Sequence, residues 1–266
     1  MTQAERRLYL IQSLLNEKTE YQSLNVPRDA GEQRKLLRSL MNVRMPKAAD
    51  EAFLRVQDEY LQQELADEGV TDLDDLRPVS GDLYLWQGDI TRLKCGAIVN
   101  AANSGMTGCY IPCHACIDNC IHTFAGVQLR QDCAALMAEQ GHEEPTGQAK
   151  ITKAYNLPCD YVLHTVGPIV SGRVTREDER LLASCYRSCL ELAEKNSVRS
   201  IAFCCISTGV FHFPNERAAE IAVETVRRYK VETGSKIKAV FNVFKDLDKT
   251  IYERLLGANC APAARA

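Results

Sequence analysis

No stretch of the chain is long and apolar enough to span a bilayer. The start, Met1-Thr2-Gln3-Ala4-Glu5-Arg6-Arg7, leads into no uninterrupted apolar core of the signal-peptide type. A polybasic run or basic face is missing too. With a formal net charge of −3, a general nucleic-acid or membrane-surface role is excluded, although local loops could still hold a nucleotide-sized anion. Internal repeats and low-complexity segments are absent. A Walker phosphate loop is absent as well, because the strand-to-helix loop Ser207-Thr208-Gly209-Val210-Phe211-His212-Phe213-Pro214 contains no lysine.

What is there is an ordinary globular composition over 266 residues, 45% hydrophobic and 25% charged, enough to bury a real core. Cysteine is abundant, at twelve. With no secretory signal, these thiols are expected to be cytoplasmic and reduced. The adjacent pair Cys204 and Cys205 and the scattered Cys95, Cys133, Cys159, Cys185, Cys189 and Cys260 read as small buried side chains, not a disulfide framework.

Composition shifts near Leu76-Arg77-Pro78. Before it, Leu8, Ile11, Leu14 and Leu15, then Leu36, Leu37, Leu40 and Met41, then Phe53, Leu54, Val56, Tyr60, Leu61 and Leu65 recur at helical steps. Residues 1–76 are therefore expected to be a helical N-terminal extension with no chemistry of its own. Its first expected role is packing onto the following domain, and its second is shaping a substrate entrance. Residues 77–266 alternate strands with helices. Leu83–Trp86, Ala97–Val99, Tyr161–Thr165, Ile201–Ile206 and Ala239–Val243 read as buried strands, and residues 119–139, 177–195 and 215–233 as helices. This order implies an α/β sandwich with helices on both faces of a largely parallel sheet, in which ligands bind at the carboxyl ends of the strands.

The most informative stretch is Cys109-Tyr110-Ile111-Pro112-Cys113-His114-Ala115-Cys116-Ile117-Asp118, just downstream of the polar loop Asn100-Ala101-Ala102-Asn103-Ser104-Gly105. Cys109, His114 and Cys116 form a Cys-x4-His-x-Cys run whose two thiols and one imidazole suit zinc. In an extended backbone, His114 and Cys116 would point the same way and Cys113 the opposite way. Three ligands would leave the fourth tetrahedral position open, as in a catalytic site, whereas Cys113 as a fourth ligand would close a structural knuckle. Buried cysteines with no metal are the third reading, and spacing alone leaves all three open.

Asp118 could position or deprotonate water beside such a metal, or cap a helix beginning at Asn119. His122 reads as a packed helical histidine, and His164 and His212 receive no role. Asp89, in Gln87-Gly88-Asp89-Ile90-Thr91, could accept from an exocyclic amine such as that of adenine, with the next backbone N–H on a ring nitrogen. It is also a natural N-cap for a short helix beginning at Ile90, the stronger reading when the residue is taken alone, and the two roles can coexist. The loop Ser207 to Pro214 either cradles a diphosphate with its backbone N–H groups and the following helix N-terminus or is a tight turn. Phe211 and Phe213 either cover a ribose or base or belong to the core.

Taken together, these pieces resemble the macrodomain family. Gly88-Asp89-Ile90-Thr91, Ile98-Val99-Asn100-Ala101-Ala102-Asn103, Thr146-Gly147-Gln148-Ala149 and Ile206-Ser207-Thr208-Gly209-Val210-Phe211 stand in the order of that family's ADP-ribose-binding loops, and the likeness covers about Leu76 to Leu256. Hydrolytic members place a glycine-rich turn before a catalytic aspartate and helix. Here Asp118-Asn119-Cys120-Ile121-His122 matches the aspartate and helix, while the Cys-His insert replaces the glycine turn. Together with the helical extension, this is similar to the zinc-containing microbial protein-ADP-ribose hydrolases.

The resemblance implies a macrodomain-like three-layer α/β/α sandwich with a mixed, largely parallel sheet. It implies adenine at Asp89 and Ile90, the diphosphate at Ser207, Thr208, Gly209, Val210 and Phe211, and the distal ribose at Asn103. It further implies one zinc ion per chain on Cys109, His114 and Cys116, with Asp118 and Asn103 as catalytic residues. Two thiolates would make the zinc centre formally neutral, so orienting the substrate would outweigh water activation. The implied reaction removes single ADP-ribose units from acidic side chains, aspartate above all, of a modified protein. The implied partner is a lipoyl-carrier protein of the glycine-cleavage-H kind, modified by a companion sirtuin in a system tied to oxidative stress. A reader module that binds ADP-ribosylated protein without cleaving it, and an O-acetyl-ADP-ribose deacetylase, are the alternatives.

Overall fold

Three helices open the chain, each started by a side-chain cap that satisfies otherwise orphaned N–H groups. In α1 (Gln3–Asn16), Thr2 Oγ1 accepts from Glu5 N at 3.2 Å while Thr2 N donates to the Glu5 carboxylate at 2.7 Å, a reciprocal capping box. Asp29 caps α2 (Ala30–Val43) and Asp50 caps α3 (Glu51–Glu68). Leu10, Ile11, Leu14 and Leu15 meet Leu37, Leu40 and Met41, and Phe53, Val56, Tyr60 and Leu61 complete the cluster together with Val127.

The computed structural model describes residues 1–21 and 23–257, which form two compact units. The first takes Met1–Val70, Gly105–Glu143 and Ala154–Leu157. It includes α4 (Ile117–Ala125) and α5 (Val127–Gln140) where the periodicity predicts one helix over residues 119–139. Gly126, at φ 101°, breaks that helix, and the reason is tertiary. Gln57 Oε1 on α3 accepts from Val127 N at 2.9 Å, and a Cβ on Gly126 would meet Gln57 Nε2 and Gln128 Oε1 at 2.7 Å.

The second unit takes Thr71–Ser104, Glu144–Lys153 and residues 158–257. Its strands are β1 (Thr71–Asp72), β2 (Leu83–Gln87), β3 (Leu93–Lys94), β4 (Ala97–Ala102), β5 (Ala149–Lys153), β6 (Tyr161–Val166), β7 (Ser200–Phe203) and β8 (Lys238–Val243). β1 pairs with β3, and the rest form a six-stranded sheet in the order β2-β8-β7-β4-β6-β5, parallel except for β5 against β6. The sheet is the mixed, largely parallel one expected. Its central strands bury residue after residue, as in Ile98–Val99, Val162–Leu163, Ile201–Ala202 and Ala239–Val240, so they read as continuous apolar runs without alternation. α6 (Arg176–Lys195), α7 (Asn215–Thr233) and α8 (Asp246–Gly257) belong to this unit, α8 being unforeseen.

β7 ends at Phe203, three residues before the predicted limit, because Cys204, Cys205 and Ile206 already turn toward the next loop. No disulfide links the described cysteines. Burial pushes the thiols of Cys159 and Cys204 up to about 12 and that of Cys185 to about 11, so they are neutral filler. Cys260 lies outside the described residues. No described helix is long and apolar enough to cross a membrane.

Candidate active site

In the first unit, the loop between β4 and α4 brings Cys109, His114 and Cys116 together. Their ligand atoms all lie within 4.8 Å of one another, and all three residues are half-buried. Cys109 Sγ is 3.6 Å from His114 Nδ1. The convergence does not come from an extended segment, as the spacing argument assumed. His114 N donates to Ile111 O at 3.2 Å, Cys113 sits at φ 53°, and Cys116 caps α4 by accepting from Asn119 N at 3.4 Å. A turn and a helix cap together aim the three side chains. Cys113 turns outward instead: it is exposed, its thiol donates to Lys35 O at 3.4 Å, and it lies 3.2 Å from Ser39 Oγ.

Burial pushes the Cys116 thiol up to about 12, the Asn119 N–H pulling it partly back while Cys109 and Asp118 add to the rise. A bare thiolate is thus disfavoured here, and a cation would reverse the balance. Two sulfurs and one imidazole nitrogen in mutual reach fit a soft, tetrahedral ion with one position left for solvent or substrate.

Asp118 is not the helix cap, because Cys116 is. It lies in the first turn of α4, 5% exposed, with Oδ1 3.6 Å from His122 Nε2 one turn on. His122, given no role beyond packing, therefore stands next to the carboxylate. The signal was the i, i+4 spacing of an acid and a histidine on one helix.

The second unit carries the residues expected to hold ADP-ribose, each just past a strand end. Asp89 does cap: Oδ1 accepts from Thr91 N at 3.0 Å and from Thr91 Oγ1 at 2.7 Å, starting a short 3₁₀ turn at Ile90. Oδ2 has no such bond among the described residues. Asn242 Nδ2 donates to Gly88 O at 3.0 Å, fixing this loop to β8. Asn103 is exposed after β4.

Past β7, Thr208 Oγ1 donates to Cys205 O at 3.0 Å, His212 N to Gly209 O at 3.1 Å and Phe213 N to Ser207 O at 3.0 Å. Ser207 is buried at φ 64°, and Val170 N donates to Phe211 O at 2.9 Å. The N–H groups of Gly209, Val210 and Phe211 donate to nothing among the described residues, and Val210 is 62% exposed. Three consecutive N–H groups with no bond among the described residues, shortly before a helix N-terminus, suit an anion. Gly167 makes this loop possible: a Cβ there would sit 2.1 Å from Ser207 Oγ. Phe213 is core at 1% exposed, so of the two aromatics only Phe211, half-buried, can face a ligand.

A family profile described as Macro domain matches residues 99–222. A Protein-ADP-ribose hydrolase of Treponema medium is 62% identical over 260 residues, covering 96% of this chain and 100% of that one. A Protein-ADP-ribose hydrolase of Staphylococcus aureus (strain MSSA476) is 50% identical over 247 residues, covering 92% of each. Among solved structures, the Trypanosoma brucei macrodomain in complex with ADP-ribose superimposes with a TM-score of 0.65 at 32% identity, covering 83% of this chain and 95% of that one.

Proposed function

The chain belongs to the macro domain family, and from that membership we propose that it is a zinc-dependent hydrolase that removes single ADP-ribose units from acidic side chains, aspartate first, of a modified protein. Relatives named for protein-ADP-ribose hydrolysis that match it nearly end to end support the reaction. The convergence of Cys109, His114 and Cys116 two residues before a buried Asp118 is the observation that carries the metal and the chemistry.

In this reading Asp89 and the Ile90 N–H hold the adenine, and the N–H groups of Gly209, Val210 and Phe211 hold the diphosphate, with Ser207 and Thr208 shaping their loop. Asn103 contacts the distal ribose. Cys109, His114 and Cys116 would hold the zinc, which when bound would supply Lewis acidity at the distal ribose. Asp118 orients a water toward the anomeric carbon and takes its proton as the C–O bond to the modified carboxylate breaks. ADP-ribose and a free carboxylate leave. His122 Nε2 stands 3.6 Å from Asp118 Oδ1, beside that carboxylate but beyond hydrogen-bond length.

The substrate-bearing partner in this reading is a lipoyl carrier of the glycine-cleavage-H kind, which rests on the family likeness of the extension and the Cys-His insert. The direct experiment supplies aspartate- and glutamate-linked mono-ADP-ribosylated protein and O-acetyl-ADP-ribose in parallel and measures release. Free ADP-ribose from the modified protein is expected. Binding without release would make the chain a reader, and turnover of the acetyl ester alone would make it a deacetylase.

A further inference from the structure

The loop that carries the three candidate metal ligands is held from one side by helix α2. Arg38 of α2 directs Nη2 at the carbonyl oxygen of His114, at 2.9 Å, and at Asn119 Oδ1, at 2.9 Å, with Cys120 Sγ at 3.5 Å. Asn119, fully buried on α4, passes the restraint on. Its Nδ2 donates to Ile111 O at 2.9 Å and to Cys109 O at 3.4 Å, while its backbone N–H reaches Cys116 Sγ at 3.4 Å. One guanidinium nitrogen and one asparagine thus touch the backbone or sulfur of all three ligands.

The same helix is bound to the loop at other points besides the Cys113 thiol contacts with Lys35 and Ser39. Asn42 Oδ1 accepts from Cys113 N at 2.9 Å. Buried Arg130 donates to the Asn42 and Arg44 carbonyls at 2.6 and 2.7 Å and to Cys109 O at 3.4 Å.

Arg38 makes no ion pair among the described residues, and its Nε is buried with no hydrogen-bond partner. A guanidinium kept in such a place with no carboxylate is costly unless other acceptors face it. Its Nη2 donates to both the His114 carbonyl and the Asn119 amide oxygen, and the Phe124 ring lies 5.9 Å from its Cζ, so two acceptor oxygens and a ring face stand where a carboxylate would.

We propose that Arg38 and Asn119 are positioning residues of the metal centre, so that α2 helps build the active site and does more than pack against its surroundings. The inference rests on the zinc reading given under Proposed function. Arg38 fixes the His114 backbone, and Asn119 fixes Cys109 and donates to the Cys116 sulfur. Together they hold the ligands converged before the ion arrives. Removing such outer partners of a metal ligand costs about ten- to hundred-fold in metal affinity.

The test uses the full chain loaded with zinc, as wild type, Arg38→Lys, Arg38→Met and Asn119→Ala. Three readouts are taken: zinc release to an excess of chelating dye, the thiolate-to-metal charge-transfer band after cobalt(II) substitution, and melting of the metal-free proteins. Arg38→Met and Asn119→Ala should release zinc about ten- to hundred-fold faster and show a shifted cobalt band. Arg38→Lys should fall between them and wild type. Because Arg38→Lys keeps the charge and most of the packing, it carries the test should the others fold poorly. Variants that melt lower but release metal at the wild-type rate with an unchanged cobalt band would overturn the positioning role and leave the zinc reading standing. A wild-type chain that holds neither zinc nor cobalt would remove both.

Discussion

Asp89 caps the turn at Ile90 and, in the proposed reading, also binds adenine, and a pair of substitutions can take the two roles apart. Its Oδ1 accepts from Thr91 N and Thr91 Oγ1, which is the cap, and the proposed reading gives Oδ2 to an adenine amine. Asp89→Ala removes both. It should cost about 1 kcal/mol of stability through the cap and about 1.5–3 kcal/mol of ADP-ribose binding, the scale of a hydrogen bond to a charged group, hence about ten- to hundred-fold in Kd. Asp89→Ser keeps an oxygen within reach of Thr91 N and removes the second one. Its melting temperature should return close to wild type while its affinity stays as low as that of the alanine variant.

Calorimetry with ADP-ribose and with ribose 5-phosphate gives the affinities. The only tryptophan, Trp86, supplies an independent optical readout, because its ring packs so closely that a Cβ on Gly88 would lie 2.4 Å from it. Both variants should bind ribose 5-phosphate as wild type does. A serine variant with full ADP-ribose affinity would show that Asp89 is a cap and nothing more, and the adenine assignment would fall.

Asp118→Asn keeps the shape of α4 but cannot take a proton, so turnover on modified protein should fall by about two or more orders of magnitude with ADP-ribose affinity unchanged; normal turnover would return Asp118 to a structural role. Gly167→Ala forces Ser207 aside, since its Cβ would lie 2.1 Å from Ser207 Oγ. It should destabilise the protein by about 1–3 kcal/mol and weaken ADP-ribose binding, and a variant with wild-type stability and affinity would show that the loop adapts freely. His164 is fully buried between Asn100 Nδ2 and Thr152 Oγ1, and burial lowers it from 6.5 to about 3. The unfolded chain therefore takes up a proton as the pH falls below about 6.5 while the native one does not, and stability drops progressively from there toward pH 3. Replacing His164 with glutamine should flatten that slope in denaturant titrations, whereas an unchanged slope would assign the acid sensitivity to other groups.

The sheet was legible because buried parallel strands are written as unbroken apolar runs, and Ile98–Val99, Val162–Leu163 and Ala239–Val240 sit in its middle. The break at Gly126 was not, because glycine is required there by Gln57, some seventy positions earlier in the chain. β5 was missed too: as an antiparallel edge strand reading Ala-Lys-Ile-Thr-Lys, it has no continuous apolar run to announce it. At the candidate site, residue types and order were readable, and the three side chains do meet, but the backbone that aims them is a turn at Ile111–His114 and a cap at Cys116, not a strand. The supports of that loop, Arg38, Asn42 and Arg130, left no local pattern at all, since each is defined by partners far away in sequence.

The central claim is tested most directly by measuring bound zinc and released ADP-ribose on the same samples, using aspartate-linked mono-ADP-ribosylated protein, for wild type and for single serine substitutions of Cys109, Cys113, Cys116 and Cys120. One zinc per wild-type chain is expected, with loss of both metal and turnover in the Cys109 and Cys116 variants and retention of both in the Cys113 and Cys120 variants. A zinc-free wild type with full turnover, or a Cys113 variant stripped of metal, would contradict it.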